Sequence, residues 1–113
     1  MFLNVFKVTH VNTRATGGID MRQIEKQMIA AINRNENWSL ANTMVTYLRE
    51  DDTSRVYLHG YLIATVDDFG IARPVLSTLI AWPTRTTMSR LRALGVDVCT
   101  RKGDVYLDGE VVA

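Results

Sequence analysis

The imidazole and thiol side chains that could act in catalysis or bind a metal ion are few and widely separated in this 113-residue sequence. Its imidazoles are His10 and His59, and its single thiol is Cys99. Nucleophilic catalysis needs a nucleophile, a base and an orienting acid within contact distance, and zinc sites use closely spaced Cys or His ligands. Neither pattern occurs in the sequence. We therefore expect no catalytic residue, no metal site and no cofactor.

His59 and two pairs of aspartates are the remaining candidates for an enzyme. His59 ends a predicted strand just before Gly60, where a ring nitrogen can cap a hairpin. Asp51 with Asp52, and Asp67 with Asp68, fall in predicted turns, where aspartate accepts hydrogen bonds from the backbone. The two pairs begin and end one predicted hairpin system, and the sequence leaves open whether the two acidic turns adjoin. Paired carboxylates can also bind a hard cation or act as acid and base, so a small hydrolase or metal enzyme is the third hypothesis.

A basic candidate site lies in the last third of the chain. Hydroxyl and guanidinium groups contact phosphates and guanine edges, and a helix is predicted here with a basic hairpin behind it. The alternative is a helix that covers a sheet and turns its arginines to water. The candidate nucleic-acid- or partner-binding residues are Arg85, Thr87, Ser89, Arg90, Arg92, Arg101 and Lys102.

The net charge of +1 conceals a segregated chain. The net charge is +3 over residues 1–34, −4 over residues 50–70, +4 over residues 83–103 and −3 over residues 104–113. Charges grouped in this way create local fields that the total does not show. The total argues against a protein that coats DNA generally, whereas the grouping leaves room for a local basic site.

Length and composition indicate an ordinary globular chain. At 47% hydrophobic and 22% charged residues, the 113 residues are expected to form a single domain over residues 1–113. No apolar run reaches the roughly 18 residues of a membrane-spanning helix. The N-terminus has neither a basic start nor a small-residue cleavage site, so we expect a cytoplasmic location without membrane contact.

Periodicity predicts an α+β fold with a mainly antiparallel sheet. Residues 2–11 are rich in β-branched and aromatic side chains and predict a strand. Asp20 is the predicted N-cap of a covering helix over about residues 20–34. From residue 43 to residue 66 the period is two, which predicts a meander of three strands. The apolar stripe of the helix is Met21, Ile24, Met28, Ala31 and Ile32.

Residues 71–82 allow two interpretations. A fourth strand is favoured, because a meander of three strands predicts another. A helix that starts at Pro74 is the alternative, and a winged-helix arrangement would require it. A short helix over about residues 86–94 follows, with Thr86 as its predicted N-cap and Gly95 at its left-handed end. The remaining residues predict a C-terminal β-hairpin.

Three segments carry a family resemblance. They are Asn42-Thr43 with Val45, the hairpin LHGYLIA at residues 58–64, and WPTRTTMSRLRAL at residues 82–94. Together they resemble small accessory proteins of tailed bacteriophages, with the patterns NTxV, LHGxxIA and WxTxTTxxRLxAL. Tyr61 departs from the asparagine that is common in that hairpin. The resemblance implies a strand-like segment at residues 71–82 and a helix that follows the sheet directly, which argues against a winged helix.

Two binding functions follow from these patterns. The first is a non-enzymatic phage accessory protein that binds and modulates a host macromolecule, in the first place a host protein, in the cytoplasm of the infected bacterium. The second is nucleic-acid binding through the helix at residues 86–94 and the hairpin behind it. A homodimer is an open possibility for either function, because an unpaired N-terminal edge strand can pair with its counterpart.

Overall fold

The computed structural model describes residues 22–113, and its larger unit is a five-stranded antiparallel meander. Its strands are β1 (Trp38–Leu40), β2 (Thr43–Leu48), β3 (Thr53–Leu58), β4 (Tyr61–Val66) and β5 (Ala72–Pro74). The helices are α1 (Gln23–Asn33), α2 (Leu76–Ala81) and α3 (Arg85–Ala93). A second antiparallel sheet holds β6 (Val98–Arg101), β7 (Asp104–Leu107) and β8 (Glu110–Val111). These elements confirm the predicted α+β class.

One face of the meander is buried under the helices. Along β3 the residues Ser54, Val56 and Leu58 are buried and alternate with half-buried neighbours, which is the period-two pattern of a strand covered on one side. Helix α1 packs on β1 and β2, α2 and α3 contact β4, and α1 contacts α3. The helices therefore close a common core over the sheet.

Tight turns fix the register of the hairpins. His59 and Gly60 both have positive φ, +53° and +83°, and connect β3 to β4 as a two-residue turn. The same pairing of a positive-φ residue with glycine connects β6 to β7 and β7 to β8. Such turns match the twist of antiparallel strands, and glycine enters this conformation without steric cost. The predicted C-terminal hairpin is thereby confirmed.

Helix α1 confirms the predicted covering helix over most of its length. Met28, Ala31 and Ile32 are buried, as the apolar stripe predicts. Arg22 occupies the N-cap position, and its amide donates to Oε1 of Glu25 at 3.3 Å. The predicted N-terminal strand, His10, the Asp20 cap and Met21 lie outside the described residues.

The strand favoured for residues 71–82 is wrong beyond Pro74. β5 is only three residues long, and the chain turns into α2 at Leu76. Leu79 of this helix is buried against the core. Its amide donates to the Val75 carbonyl at 3.0 Å, so this backbone hydrogen bond is made within the helical turn and not to another strand. The implied direct step from sheet to helix is therefore also wrong, because α2 intervenes.

Helix α3 starts earlier than predicted. Thr84, not Thr86, is its N-cap, and Thr84 Oγ1 accepts a hydrogen bond from the Thr87 amide at 3.1 Å. The end of α3 follows the prediction, since Gly95 has φ +96° and the Val96 amide donates to the Leu91 carbonyl. α3 contacts β4 and β6, so it covers sheet. The short strand β1 was not predicted.

Candidate binding site

The meander has one strongly acidic end. Alternate turns of a meander lie at the same end, so the β2–β3 turn and the β4–β5 turn are neighbours. The pKa of Tyr47 is raised, first by its hydrogen bond to Asp52, then by desolvation, and further by the charges of Asp52 and Asp68. The two acidic turns therefore adjoin, which the sequence had left open. Among residues 22–113 no group of three or more His, Cys, Asp or Glu could hold a metal ion.

The second of these turns, residues 67–71, is a fixed loop that we call the acidic loop. The Asp67 carboxylate accepts hydrogen bonds from the amides of Phe69 and Ile71, both at 2.9 Å. Its other oxygen pairs with Arg73 Nη1 at 3.0 Å. Phe69 stands at the top of this loop with 81% of its surface exposed. The hydrogen bonds hold the backbone under an aromatic side chain that touches little of its own protein.

The acidic loop gives a pH-dependence prediction. Partial burial raises the pKa of Asp67, but the hydrogen bonds from Ile71, Arg73 and Phe69 outweigh it and leave a net pKa below the usual 3.8. A lowered folded-state pKa stabilises the loop above pH 3.8, and this contribution is lost as the pH falls through the folded pKa. In an NMR titration of the carboxyl carbon, we expect Asp67 to titrate below 3.8, and Arg73→Ala to move its midpoint upward. A midpoint above 3.8 in the unmodified protein would contradict the loop geometry.

The opposite end of the meander carries an apolar cavity of about 210 Å³. Tyr61 and Trp82 stand at it with their rings stacked, 5.9 Å between centroids and 28° between planes. They are 55% and 53% exposed, so both rings face solvent as well as the cavity. We call this cavity with its two rings the aromatic site. Its lining residues are Leu58, His59, Tyr61, Ile63, Thr78, Trp82, Thr84 and Thr87.

Two local features bring Tyr61 and Trp82 together. Val56 pairs with Ala64 and Tyr57 with Leu62, so Ile63 is an extra residue in β4. Such a bulge redirects the side chains beyond it, here those of the hairpin end that carries Tyr61. Trp82 is the C-cap of α2, and its amide donates to the Thr78 carbonyl at 2.8 Å. The buried Leu79 anchors this helix and thereby fixes the position of Trp82.

His59 lies between the aromatic site and a shallower, more polar depression of about 470 Å³. Its side chain is exposed, and its amide donates to the Asn42 carbonyl at 2.8 Å. That bond ties the β3–β4 turn to the β1–β2 turn. The polar depression is lined by Ser39, Ala41, Asn42, Thr43, Met44, His59 and Gly60.

A buried ion pair joins helices α1 and α3. Arg90 Nη1 lies 2.7 Å from Glu25 Oε2, and both side chains are 3% exposed. The guanidinium also donates from Nε to Thr43 Oγ1 at 3.0 Å and from Nη2 to the Asn42 side chain at 3.3 Å. Ser89 Oγ donates to the same Glu25 oxygen. This network joins α1, α3 and the start of β2. Each of the three guanidinium nitrogens of Arg90 donates to a side-chain oxygen.

Two buried hydroxyls allow a paired stability prediction. Among the described residues, Ser54 Oγ is buried without a hydrogen-bond partner, whereas Thr43 Oγ1 accepts from Arg90. An unsatisfied buried hydroxyl costs about 1–3 kcal/mol, so Ser54→Ala should raise the free energy of unfolding by up to about 1 kcal/mol. Thr43→Val should lower it by about 1–3 kcal/mol, because it leaves Arg90 Nε unpaired. Urea unfolding measures both, and a loss of stability in Ser54→Ala would show that the hydroxyl has a partner.

The structure separates the seven basic-site candidates. Thr87 is buried and lines the aromatic site, Arg90 is buried in its ion pair, and Ser89 is held by Glu25, so these three do not belong to an exposed basic surface. Arg92 is exposed, and its Nε donates to the Val98 carbonyl at 2.9 Å. The candidates that stay exposed are Arg85, Arg92, Arg101 and Lys102.

Sequence reasoning missed the aromatic site and the buried ion pair. One signal for Arg90 was available: it falls three residues after Thr87 and four before Leu94, within the apolar stripe of α3. No comparable signal joins Tyr61 to Trp82, because their approach depends on the β4 bulge and on α2.

Within residues 22–113, no helix is long and apolar enough to cross a membrane.

Comparisons with known proteins place the chain in a family. No curated protein and no solved structure matches the sequence. A family model described as Kyanoviridae Gp96 protein matches residues 21–112, which is most of the chain. The chain therefore belongs to this family of cyanophage proteins.

Proposed function

We propose that this phage protein is a non-enzymatic accessory protein that binds a host protein through the aromatic site, in the cytoplasm of the infected cell. The observation that carries the proposal is the stacked Tyr61 and Trp82, each more than half exposed beside an apolar cavity. Tryptophan and tyrosine dominate the energetics of protein interfaces, and exposed apolar patches mark interaction sites.

Helix α2 carries two further partly exposed apolar side chains. Leu79 is its buried residue, whereas Leu76 and Ile80 are 43% and 41% exposed. Neither Leu76 nor Ile80 lines the cavity, in contrast to Thr78 and Trp82 of the same segment. The proposal therefore rests on Tyr61 and Trp82 and not on these two side chains.

The lining indicates the chemistry of the partner. Among residues 22–113, no Asp, Glu, Lys or Arg lines the cavity, and the polar groups there are the hydroxyls of Thr78, Thr84 and Thr87 and the imidazole of His59. A cavity of about 150 Å³ accommodates benzene, so about 210 Å³ is sufficient for one aromatic or branched aliphatic side chain. Binding that depends on such burial changes little with salt, whereas nucleic-acid binding falls steeply with salt.

A capture experiment with matched variants tests the proposal. Tagged protein, Trp82→Ala and Val111→Ser are each incubated with lysate of the cyanobacterial host, with and without nuclease treatment. Val111 is as exposed as Trp82 but belongs to the second sheet, so it controls for the loss of surface apolar area. We expect one host protein to be retained by the unmodified chain and by Val111→Ser, and to be lost with Trp82→Ala.

Two results would overturn the proposal. Retention of the same protein by Trp82→Ala would show that the contact lies elsewhere. Capture that disappears on nuclease treatment, and that depends on Arg85, Arg92, Arg101 and Lys102, would favour the nucleic-acid function instead.

A further inference from the structure

We propose that Phe69 of one copy enters the aromatic site of a second copy, so that the protein associates head to tail. The inference goes beyond the host-protein function and rests on it only for the claim that the cavity accepts an apolar side chain. It names a second copy of this chain as the occupant. Four features of the structure support it: the exposure of Phe69, the size of the cavity, the charges around both, and their placement at opposite ends of the sheet.

Phe69 is presented for binding from a fixed loop, and we call this side chain the knob. It is 81% exposed, and the acidic loop beneath it is fixed by the hydrogen bonds of Asp67 and by the Arg73 ion pair. A side chain presented from a fixed backbone loses less conformational freedom on binding than one on an unstructured loop. Ile71, also exposed, stands two residues away and enlarges the apolar surface of the knob.

The cavity of the aromatic site has room for such a side chain, and we call this cavity the hole. Its volume of about 210 Å³ exceeds the roughly 150 Å³ that holds a benzene ring, so a phenyl group has room in it. Tyr61 and Trp82 offer ring faces and edges to an entering aromatic ring, and aromatic pairs prefer offset-stacked or edge-to-face contacts. The hole is open to solvent, because both rings are more than half exposed.

The charges around knob and hole are complementary. Phe69 follows Asp67 and Asp68, and the acidic β2–β3 turn lies beside them. In the part of the chain that the structure describes, no carboxylate lines the hole, and the exposed Arg85 directly follows Thr84 of the lining. Docking the acidic loop on the hole therefore brings Asp68 toward Arg85 of the second copy, whereas two acidic loops would repel each other.

The placement determines the kind of assembly. β4 begins at Tyr61 beside the hole and ends at Val66, just before the acidic loop. The knob and the hole thus lie at opposite ends of one strand, and a copy does not fill its own hole. A contact between unlike surfaces is heterologous, and it repeats into a ring or an open chain instead of stopping at a symmetric pair.

The test is a complementation experiment by sedimentation velocity. Phe69→Ser removes the knob and leaves the hole, and Trp82→Ala removes a wall of the hole and leaves the knob. We expect the unmodified chain and Val111→Ser to associate with rising concentration, and each of the two other variants alone to associate at least about tenfold more weakly. Mixed in equal amounts, Phe69→Ser and Trp82→Ala each keep one working surface and should form a one-to-one dimer that does not grow.

Several outcomes would overturn the inference. They are a monomer for the unmodified chain up to roughly 1 mM, self-association that survives Phe69→Ser, and a mixture that gives no dimer. Phe69→Ser keeps the aromatic site intact, so it should still capture the host protein. Capture without self-association would therefore refute only the head-to-tail contact, and self-association without Trp82-dependent capture would refute only the host-protein function.

Discussion

Replacing Arg90 with alanine should lower the free energy of unfolding by about 3–5 kcal/mol, because it leaves the buried Glu25 carboxylate without its charge partner. The ion pair is short, 2.7 Å, and both side chains are 3% exposed. The measurement is urea unfolding followed by circular dichroism, with Arg85→Ala as the matched control. Arg85 is exposed and makes no ion pair among the described residues, so its loss should change stability by no more than about 0.5 kcal/mol.

A double substitution separates the worth of the pair from the cost of breaking it. Replacing Arg90 with methionine and Glu25 with leucine removes both charges and keeps most of the volume, and such exchanges are often neutral for stability. We expect the double variant to recover most of the stability that Arg90→Ala loses. A cost below about 1 kcal/mol for Arg90→Ala would contradict a buried ion pair at this position.

The second large effect concerns the helix that carries Trp82. Leu79 is 1% exposed and is the buried residue of α2, so Leu79→Ala should lower the free energy of unfolding by about 2–5 kcal/mol. Leu76→Ala is the matched control, since it removes the same atoms from an exposed position of the same helix and should cost about 0.5 kcal/mol.

Leu79→Ala should also disturb the aromatic site before the protein unfolds. Trp82 is one of two tryptophans, and Trp38→Phe leaves it as the single reporter of fluorescence. In that background we expect Leu79→Ala to shift Trp82 emission toward that of a solvated indole, while Leu76→Ala leaves it unchanged. Equal costs for the two alanine variants would contradict the placement of α2.

Much of the fold could be predicted from local patterns. Strands and hairpins are specified by interactions between near neighbours. The local patterns are the alternation with a period of two over residues 43–66 and the short turns at Gly60 and Gly109. The stripe in α1 and Gly95 at the end of α3 act in the same local way. These are the elements that the structure confirms.

The failures have a different physical origin. Residues 71–82 are apolar throughout, a pattern that suits a covered strand and a helix alike, and the packing of Leu79 decides between them. Arg90 falls within the apolar stripe of α3, but its charge partner Glu25 lies 65 positions away and no local pattern identifies it. Tyr61 and Trp82 meet only because of a bulge and a helix that the sequence does not specify locally. The candidate site was therefore hidden in contacts of long sequence separation.

Partner binding at the aromatic site can be measured in solution. Once the captured host protein is purified, titration calorimetry with the unmodified chain, Trp82→Ala and Val111→Ser measures this binding directly. A central tryptophan of an interface contributes about 2 kcal/mol or more to the binding free energy. We therefore predict that the dissociation constant of Trp82→Ala is at least about 30-fold larger than that of the unmodified chain. Val111→Ser should bind within about twofold of the unmodified chain. Equal affinity for Trp82→Ala and the unmodified chain would contradict the account.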